Sequence, residues 1–335
     1  MASCALDALD ALEIGDFVSE KVVLITGGAG FIGSALTDRL LGKGYRVVVV
    51  DNFATGRRDN LVERPELEII EGSITDSNMM ADIFSRVNPD VVVHAAASYK
   101  DPEAWVEDAE TNVVGTSVVV NESRKCDVER FIYFQTALCY GLHPEEQPIP
   151  IDHELRPRES SYAISKTAGE NYIALSGLDW VSFRLANGYG PRNITGPLPT
   201  FFQRLSNDSS VFVMDTRRDF IFIEDLIDVV ERAVDGEGES GPYHVSSGSD
   251  VSIQDLLEAT LKAMGIELDE PIEVRPRGED DAFTILLDPG KTHQQFPGWE
   301  AKTPLEDGVA RAVGYYREFG IEETFTHLHM PDETS

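Results

Sequence analysis

Leu24-Ile25-Thr26-Gly27-Gly28-Ala29-Gly30-Phe31-Ile32-Gly33 reads as the end of a β-strand, a glycine turn and the start of a helix. Ile32, Ala35, Leu36 and Leu40 fall at i, i+3, i+4 and i+8, one apolar face of that helix. The next apolar run, Arg46–Asp51, ends in a carboxylate 18 residues beyond Gly33. A strand, a glycine turn, a helix start and a strand-end acid at this spacing make a dinucleotide site. Gly27 permits the tight turn and Gly30 lets the backbone approach a pyrophosphate. The helix N-terminus faces the phosphates with free N–H groups and a positive dipole. Asp51 accepts hydrogen bonds from ribose hydroxyls and repels a 2′-phosphate, which favours NAD over NADP. Arg57 and Arg58 would suit a phosphate, but they fall in a polar loop and read as solvated.

Outward from this stretch, short β-branched runs alternate with helical patterns. The runs are Lys21–Thr26, Arg46–Asp51, Leu67–Glu71, Val91–His94, Arg130–Gln135 and Trp180–Arg184; the helical patterns include Asp76–Val87, Trp105–Ser123 and Ser161–Leu175. That alternation predicts an α/β fold, a Rossmann-type doubly wound parallel sheet. After Asn187 the texture changes: Gly190-Pro191-Arg192 and Gly196-Pro197-Leu198-Pro199 interrupt regular structure, and helices at Glu224–Val234 and Ile253–Met264 follow. We expect 21–187 to hold the cofactor, with about 219–248 returning to it. Residues 188–218 and 249–330 should form a smaller C-terminal α/β substrate-binding lobe. The active site belongs between them, at the carboxyl ends of the strands.

Composition narrows the partners. Lys+Arg 28 against Asp+Glu 59 leaves −31, and only eight of the cations are lysine. Such a surface repels nucleic acid and anionic membrane, so neither is expected as a partner. It suits a high-salt cytoplasm, where ions screen self-repulsion, and equally an ordinary acidic cytosolic enzyme. Cys4, Cys126 and Cys139 have neither metal spacing nor a disulfide framework, which points to a reducing, cytoplasmic compartment and no bound metal. Residues 1–20 lack a basic start and read as a flexible extension rather than a signal peptide. The acidic tail after Met330 is expected to fray, and no apolar run is long enough to span a bilayer.

Far downstream, Ser161-Tyr162-Ala163-Ile164-Ser165-Lys166 puts a phenol and an ammonium one helical turn apart. Bringing a phenol from its usual pKa of about 10 to near 7 needs roughly 4 kcal/mol of preference for the phenolate. One ammonium ~5 Å away at an effective dielectric of ~20 supplies about 3 kcal/mol. A positive nicotinamide ring supplies the rest, so Tyr162 should be most acidic with oxidised cofactor bound.

These residues resemble the extended short-chain dehydrogenase/reductases that modify nucleotide sugars, typified by UDP-glucose 4-epimerase. The likeness runs from about Lys21 to Tyr316. Its landmarks are TGGAGFIG, Asp51-Asn52-Phe53, Thr55-Gly56-Arg57-Arg58, His94-Ala95-Ala96-Ala97, Asn112-Val113-Val114-Gly115-Thr116, the Tyr-x-x-x-Lys, Asn187-Gly188-Tyr189-Gly190-Pro191-Arg192 and Arg218-Asp219-Phe220. The resemblance implies Thr136, Tyr162 and Lys166 as catalytic residues, with Lys166 also holding the ribose. It implies cofactor contacts from Gly27, Gly30, Phe31, Ile32, Gly33, Asp51, Asn52, Gly56, Ile74, Ala96 and Asn112. For a UDP-sugar substrate it implies Tyr99, Lys100, Thr136, Asn187, Arg192, Arg218 and Arg277. Arg184, Arg192, Arg204, Arg217 and Arg218 crowd one stretch of an acidic chain, which suits a pyrophosphate. A homodimer through Trp105–Ser123 and Ser161–Leu175 is also implied.

Two positions depart from the family: Ser73 replaces a frequent Asp near the adenine, and Gln135 replaces a common small residue. YFQTALCYG is similar to epimerases of bacterial O-antigen sugar clusters, some linked to amino-uronic acids. Gln135 is expected to bound the pocket near an N-acetyl group, and Lys100, one residue beyond the family's substrate-facing position at Tyr99, either pairs with a uronic acid carboxylate or is solvated beside Asp101. The family's dehydratases follow the catalytic Thr with an Asp-Glu pair, and decarboxylases usually keep a Glu; here stand Ala137 and Leu138, which transfer no protons. The expected reaction is therefore 4-epimerisation: oxidation at sugar C4, a 4-keto intermediate that rotates, and hydride return to the opposite face. The alternatives are a dehydratase or decarboxylase, a reductase using Cys139 as an acid, and a non-catalytic NAD-binding protein. The last is opposed by the retention of Thr136, Tyr162 and Lys166.

Overall fold

The β-branched runs become parallel strands of one sheet. In the computed structural model, which describes residues 21–99, 101–278, 281–321 and 323–325, the chain begins with β1 (Val22–Thr26), α1 (Phe31–Gly42), β2 (Arg46–Asp51) and β3 (Leu67–Glu71). Then come α2 (Ser77–Val87), β4 (Val91–His94), α3 (Trp105–Asp108), a π-helical turn (Ala109–Gly115) and α4 (Thr116–Lys125). β5 (Arg130–Thr136), α5 (Ser161–Leu175), β6 (Trp180–Leu185), β7 (Asn187–Tyr189), α6 (Pro197–Ser206) and β8 (Phe212–Met214) follow. The rest is β9 (Arg217–Phe222), α7 (Ile223–Val234), β10 (Gly241–Val245), β11 (Asp250–Ser252), α8 (Ile253–Met264), β12 (Glu273–Arg275), α9 (Gly290–Gln295) and α10 (Leu305–Phe319). The extension at 1–20 and the tail after Met330 lie outside the described residues.

The large sheet runs β10-β6-β5-β4-β1-β2-β3, every pair parallel. The reversal of order beside β1 is the switch point where ligands of such sheets bind. Strand alternation sends side chains to opposite faces, and both faces are covered, so the interiors of β1, β2 and β4 are unbroken apolar runs rather than alternating. Val23, Ile25, Val47, Val49, Val91 and Val93 pack with Leu36 and Leu40 of α1 and with Leu226, Ile227 and Val230 of α7. Leu24, Val48, Val50 and Val92 face Met80, Ile83 and Phe84 of α2, Val119 and Val120 of α4, and Ile173 of α5. Burying each such side chain contributes about 1.5–3 kcal/mol.

Two small sheets, β11-β9-β7 and β12-β8, lie with α6, α8 and α10 beyond the carboxyl ends of the large one. Two expected elements differ in detail. The helix read as Trp105–Ser123 is one helical stretch to Lys125, interrupted by the π turn. The helix read from Asp76 starts one residue later, because Asp76 is its N-cap, accepting from Asn78 and Met79 N–H at 3.1 and 3.0 Å.

Candidate active site

A cleft of about 1130 Å³ opens between the strand ends of the large sheet and the small sheets. Single-ligand pockets span roughly 300–1,000 Å³, so this one lies at or above the top of that range. One end is the glycine turn. Gly27 has φ +69°, and a Cβ there would stand 2.6 Å from Ala96 N. A Cβ on Gly33 would stand 2.7 Å from Gly28 Cα. Only glycines allow turn, helix and β4 to approach this closely, which leaves the α1 N-terminus open to a phosphate.

Asp51 shows how the acid is held. Its Oδ2 accepts Ala29 N–H at 2.9 Å and its Oδ1 accepts Phe53 N–H at 2.7 Å. Burial raises its pKa, while those two N–H groups pull the other way. Each oxygen keeps a lone pair for a ribose hydroxyl. Gly56 does not line the cleft; it lies behind, where a Cβ would meet Asp51 Oδ1 at 2.9 Å. Arg57 binds Asp59 through Nε and Nη2 at 2.9 and 2.5 Å, and Arg58 lies over the Phe53 ring, so neither faces the cleft. Phe31, Ile32, Asn52, Ile74 and Ala96 line it as expected, and so does Ser73, whose hydroxyl is engaged by Thr75 at 2.8 Å.

The other end holds Tyr162 and Lys166 on α5, facing Thr136 at the end of β5. Thr136 caps the short turn that follows it: its Oγ1 accepts Leu138 N–H at 3.2 Å, which leaves its own proton free to be donated. Lys166 is 2% exposed, with Nζ 3.9 Å from the centroid of the Tyr133 ring. Burial pushes its ammonium down to about 7, with the Glu170 carboxylate opposing. Tyr162 departs from the simple picture of one ammonium acidifying one phenol. Burial, Tyr99 and Asp108 all raise its pKa, so the protein's own groups hold it neutral. That agrees with a phenol that needs a bound positive ring to ionise.

Behind this pair lies a buried row. Thr116 Oγ1 donates to Asn112 O at 2.7 Å, so it accepts from His94 Nε2–H at 2.9 Å. His94 Nδ1 then accepts from Thr26 Oγ1 at 2.6 Å. Burial and Lys166 hold this imidazole down to about 3. Asn112, expected against the cofactor, is buried and outside the cleft wall. Its amide holds Ser98, through N–H and C=O at 2.9 and 3.0 Å, and Ser165 Oγ at 3.0 Å.

The expected substrate residues divide. Tyr99, Asn187 and Arg218 line the cleft; Asn187 Nδ2 donates to Asp219 O at 3.1 Å, and Arg218 is paired with Asp281. Arg192 does not line it: its φ is +68° and its guanidinium turns to Asp38 at 2.7 Å, on the far side of α1. Arg277 is exposed outside the cleft wall, donating to Asp281 O at 3.3 Å. Lys100 lies outside the described residues. The arginine-rich stretch is not a free positive patch, because Arg184, Arg192, Arg217 and Arg218 pair with Glu170, Asp38, Asp250 and Asp281. Gln135 lines the cleft beside Thr136 but is 2% exposed, and its amide is engaged by Thr136 N–H and Glu170. Cys139 is fully buried outside the cleft wall, and burial pushes its thiol up, so it does not face a ligand. Sequence reasoning missed Glu170, whose only local signal was its place at i+4 from Lys166 on an apolar helix.

The comparisons with known proteins agree with this geometry. A UDP-glucose 4-epimerase of Mycolicibacterium smegmatis is 32% identical over 316 residues, 88% of this chain and 98% of that protein. The UDP-glucuronic acid decarboxylase 4 of Arabidopsis thaliana is 30% identical over 88% of this chain and 68% of its own length. The crystal structure of the Bordetella bronchiseptica enzyme WbmH in complex with NAD+ superposes with a TM-score of 0.87 at 52% identity, covering 90% of this chain and all of that one. The profile of the NAD dependent epimerase/dehydratase family matches residues 23–246, which take in the glycine turn, Asp51, Thr136, Tyr162 and Lys166, and the chain belongs to that family.

Proposed function

We propose that this protein is an NAD-dependent 4-epimerase of a UDP-sugar. The observation that carries the reading is the wall beside Thr136: Ala137 and Leu138 bear no titratable group, and Cys139 is sealed away. Elimination or decarboxylation asks for a second acid or base at that wall; epimerisation asks only for one group that takes and returns the hydroxyl proton. In this reading 21–187 with 219–248 hold the cofactor, and 188–218 with 249–330 hold the nucleotide sugar. NAD, when bound, takes up and gives back a hydride. Tyr162 removes the C4 hydroxyl proton, Thr136 donates a hydrogen bond to the same oxygen, and Lys166 favours the phenolate by its charge. Asn187 and Arg218 hold the pyrophosphate. Tyr99 borders the sugar.

A second copy of the chain is the partner we assign to the exposed apolar side chains of the adjacent stretches α3–α4 and α5. Trp105, Val106 and Val114, in the first half of the α3–α4 stretch, and Ile164, Tyr172 and Leu175, along α5, are all 48% or more exposed, and the two stretches are in contact. A self-complementary face of this kind closes as a two-fold pair. The free thiols of Cys126 and Cys139 support a cytoplasmic setting.

The test is NMR with mass spectrometry on UDP-glucose, UDP-N-acetylglucosamine and their uronic acids, incubated with enzyme and NAD in D₂O. An isomeric product without deuterium at C4 and without accumulating NADH is expected, and Tyr162→Phe should slow it about a hundred- to ten-thousandfold. Loss of water or carbon dioxide with deuterium incorporated would overturn the epimerase reading.

A further inference from the structure

Gln135 immediately precedes Thr136 on β5. In a parallel strand successive N–H groups point to opposite neighbours. Phe131 N–H donates to Asp179 O, on the β6 side, so the N–H groups of Ile132, Phe134 and Thr136 face β4. But β4 ends at His94, opposite Tyr133, and Thr136 N–H has no strand beside it. The Gln135 side chain fills the gap: its Oε1 accepts Thr136 N–H at 2.8 Å. Its Nε2 donates to Glu170 Oε2 at 2.9 Å.

Glu170 stands on α5 four residues after Lys166 and eight after Tyr162, so the three share one helical face. Its Oε1 receives Arg184 Nη2 at 2.7 Å and Nε at 3.2 Å. Arg184 Nη1 donates onward to Tyr140 Oη at 2.8 Å and Ile151 O at 3.1 Å. The Tyr140 hydroxyl donates to His244 Nε2 at 2.6 Å, and His244 Nδ1–H donates to Asp288 O at 2.9 Å. The order is self-consistent. Arginine only donates, so the Tyr140 proton must pass to an unprotonated imidazole nitrogen. Burial, with Arg184 nearby, holds His244 down to about 4. Both ends of the Gln135 amide are thus used, and the anchor beneath it is a buried ion pair.

We propose that Gln135 is a positioning residue: its amide ties the strand end that carries Thr136 to the helix that carries Tyr162 and Lys166, and so fixes the distance between hydroxyl and phenol. Proton transfer needs those oxygens within about 2.6–3.2 Å of the same substrate atom. A bond to a charged acceptor is shorter and stiffer than one between neutral groups, and the Glu170 carboxylate, itself clamped by Arg184 Nη2 at 2.7 Å, makes a firm anchor. The tie rests on the epimerase reading only for the turnover used to measure it.

The experiment compares Gln135→Met with the wild type for kcat, KM, bound NAD, thermal midpoint and amide hydrogen exchange at Thr136. We expect kcat to fall about ten- to a hundredfold, since misplacement on the 1 Å scale costs that much. KM and bound NAD should stay unchanged, and the Thr136 amide should exchange faster. The swap Gln135→Glu with Glu170→Gln keeps one carboxylate and one amide between the two walls and should restore most of the lost kcat. An unchanged kcat in Gln135→Met overturns the proposal. A parallel fall of kcat, bound NAD and thermal midpoint overturns it too, because the residue would then only support the fold. If Gln135→Met yields no folded protein, Gln135→Asn, too short to reach both partners, carries the same comparison. Should the wild type epimerise none of the UDP-sugars, the epimerase reading fails while Thr136 exchange still decides the tie.

Discussion

Lys166 is a buried amine whose ammonium sits near 7 because desolvation outweighs the pull of Glu170. An unfolded lysine titrates near 10.4. Between about 7 and 10.4 the unfolded chain therefore holds a proton that the folded chain has released, so stability rises with pH across that window. Below about 7 both states are protonated and the cost of the buried charge is felt in full. The thermal midpoint of cofactor-stripped protein should rise from neutral to mildly alkaline pH, and Lys166→Met should lack that part of the rise. Calorimetry of the two proteins across the pH series checks it; superimposable slopes would mean that Lys166 is not buried as described. The residue types here were legible in the sequence, since Tyr-x-x-x-Lys is a local spacing on one helix. The pKa values were not, because desolvation depends on what the rest of the chain packs around the amine.

The stretch 105–125 shows what an element contributes beyond its periodicity. Its pattern predicts one regular helix, and the structure inserts a π turn at Ala109–Gly115. π turns widen a helix locally and recur at functional sites. Gly115 lets this turn pack close: a Cβ there would stand 2.6 Å from Ile74 Cδ1, which lines the cofactor-side wall. Asn112, in the middle of the turn, bonds Ser98 after β4 and Ser165 on α5. Replacing it with Leu would leave the Ser98 N–H and C=O unpaired in a buried place, at about 1–3 kcal/mol per group. A thermal midpoint clearly below that of the wild type is expected for Asn112→Leu in a thermal shift assay, and an unchanged midpoint would mean that water replaces the amide. The strands β1 to β6 were read almost to the residue because each is bounded by local turn chemistry, whereas β10 and the short strands after Leu185 were not placed. The π turn was missed because nothing local separates it from an α-helix; its contacts with Ile74 and Ser165 come from distant parts of the chain.

At the scale of the molecule, charge and apolar exposure act together. The net charge of −31 makes copies of the chain repel one another, which salt screens within about 10 Å at 0.1 M. Against that repulsion stand Ile164, Tyr172 and Leu175 on α5 and Val106 and Val114 beside it. If a second copy covers this face, Ile164→Asp with Leu175→Asp should convert the protein from dimer to monomer without unfolding it. Light scattering during size exclusion reads the mass, and circular dichroism the fold. A mass equal to that of the wild type in both would remove this face as the interface. No helix among the described residues is long and apolar enough to cross a membrane.

The sequence by itself determined the parallel sheet, the glycine turn, the strand-end Asp51 and the helix bearing Tyr162 and Lys166. Each of these follows from spacings of a few residues, where backbone hydrogen bonding and strand or helix period act directly. Tertiary structure alone decided which arginines reach the cleft. Arg192 finds Asp38 across 154 residues and Arg218 finds Asp281 across 63, and no local pattern distinguishes the two outcomes. It likewise decided that Gln135 meets Glu170, 35 residues away, and that Arg184 lies behind them both. A buried polar group must take whatever partner the packed chain brings to it, and that partner is fixed only when the strands and helices have met.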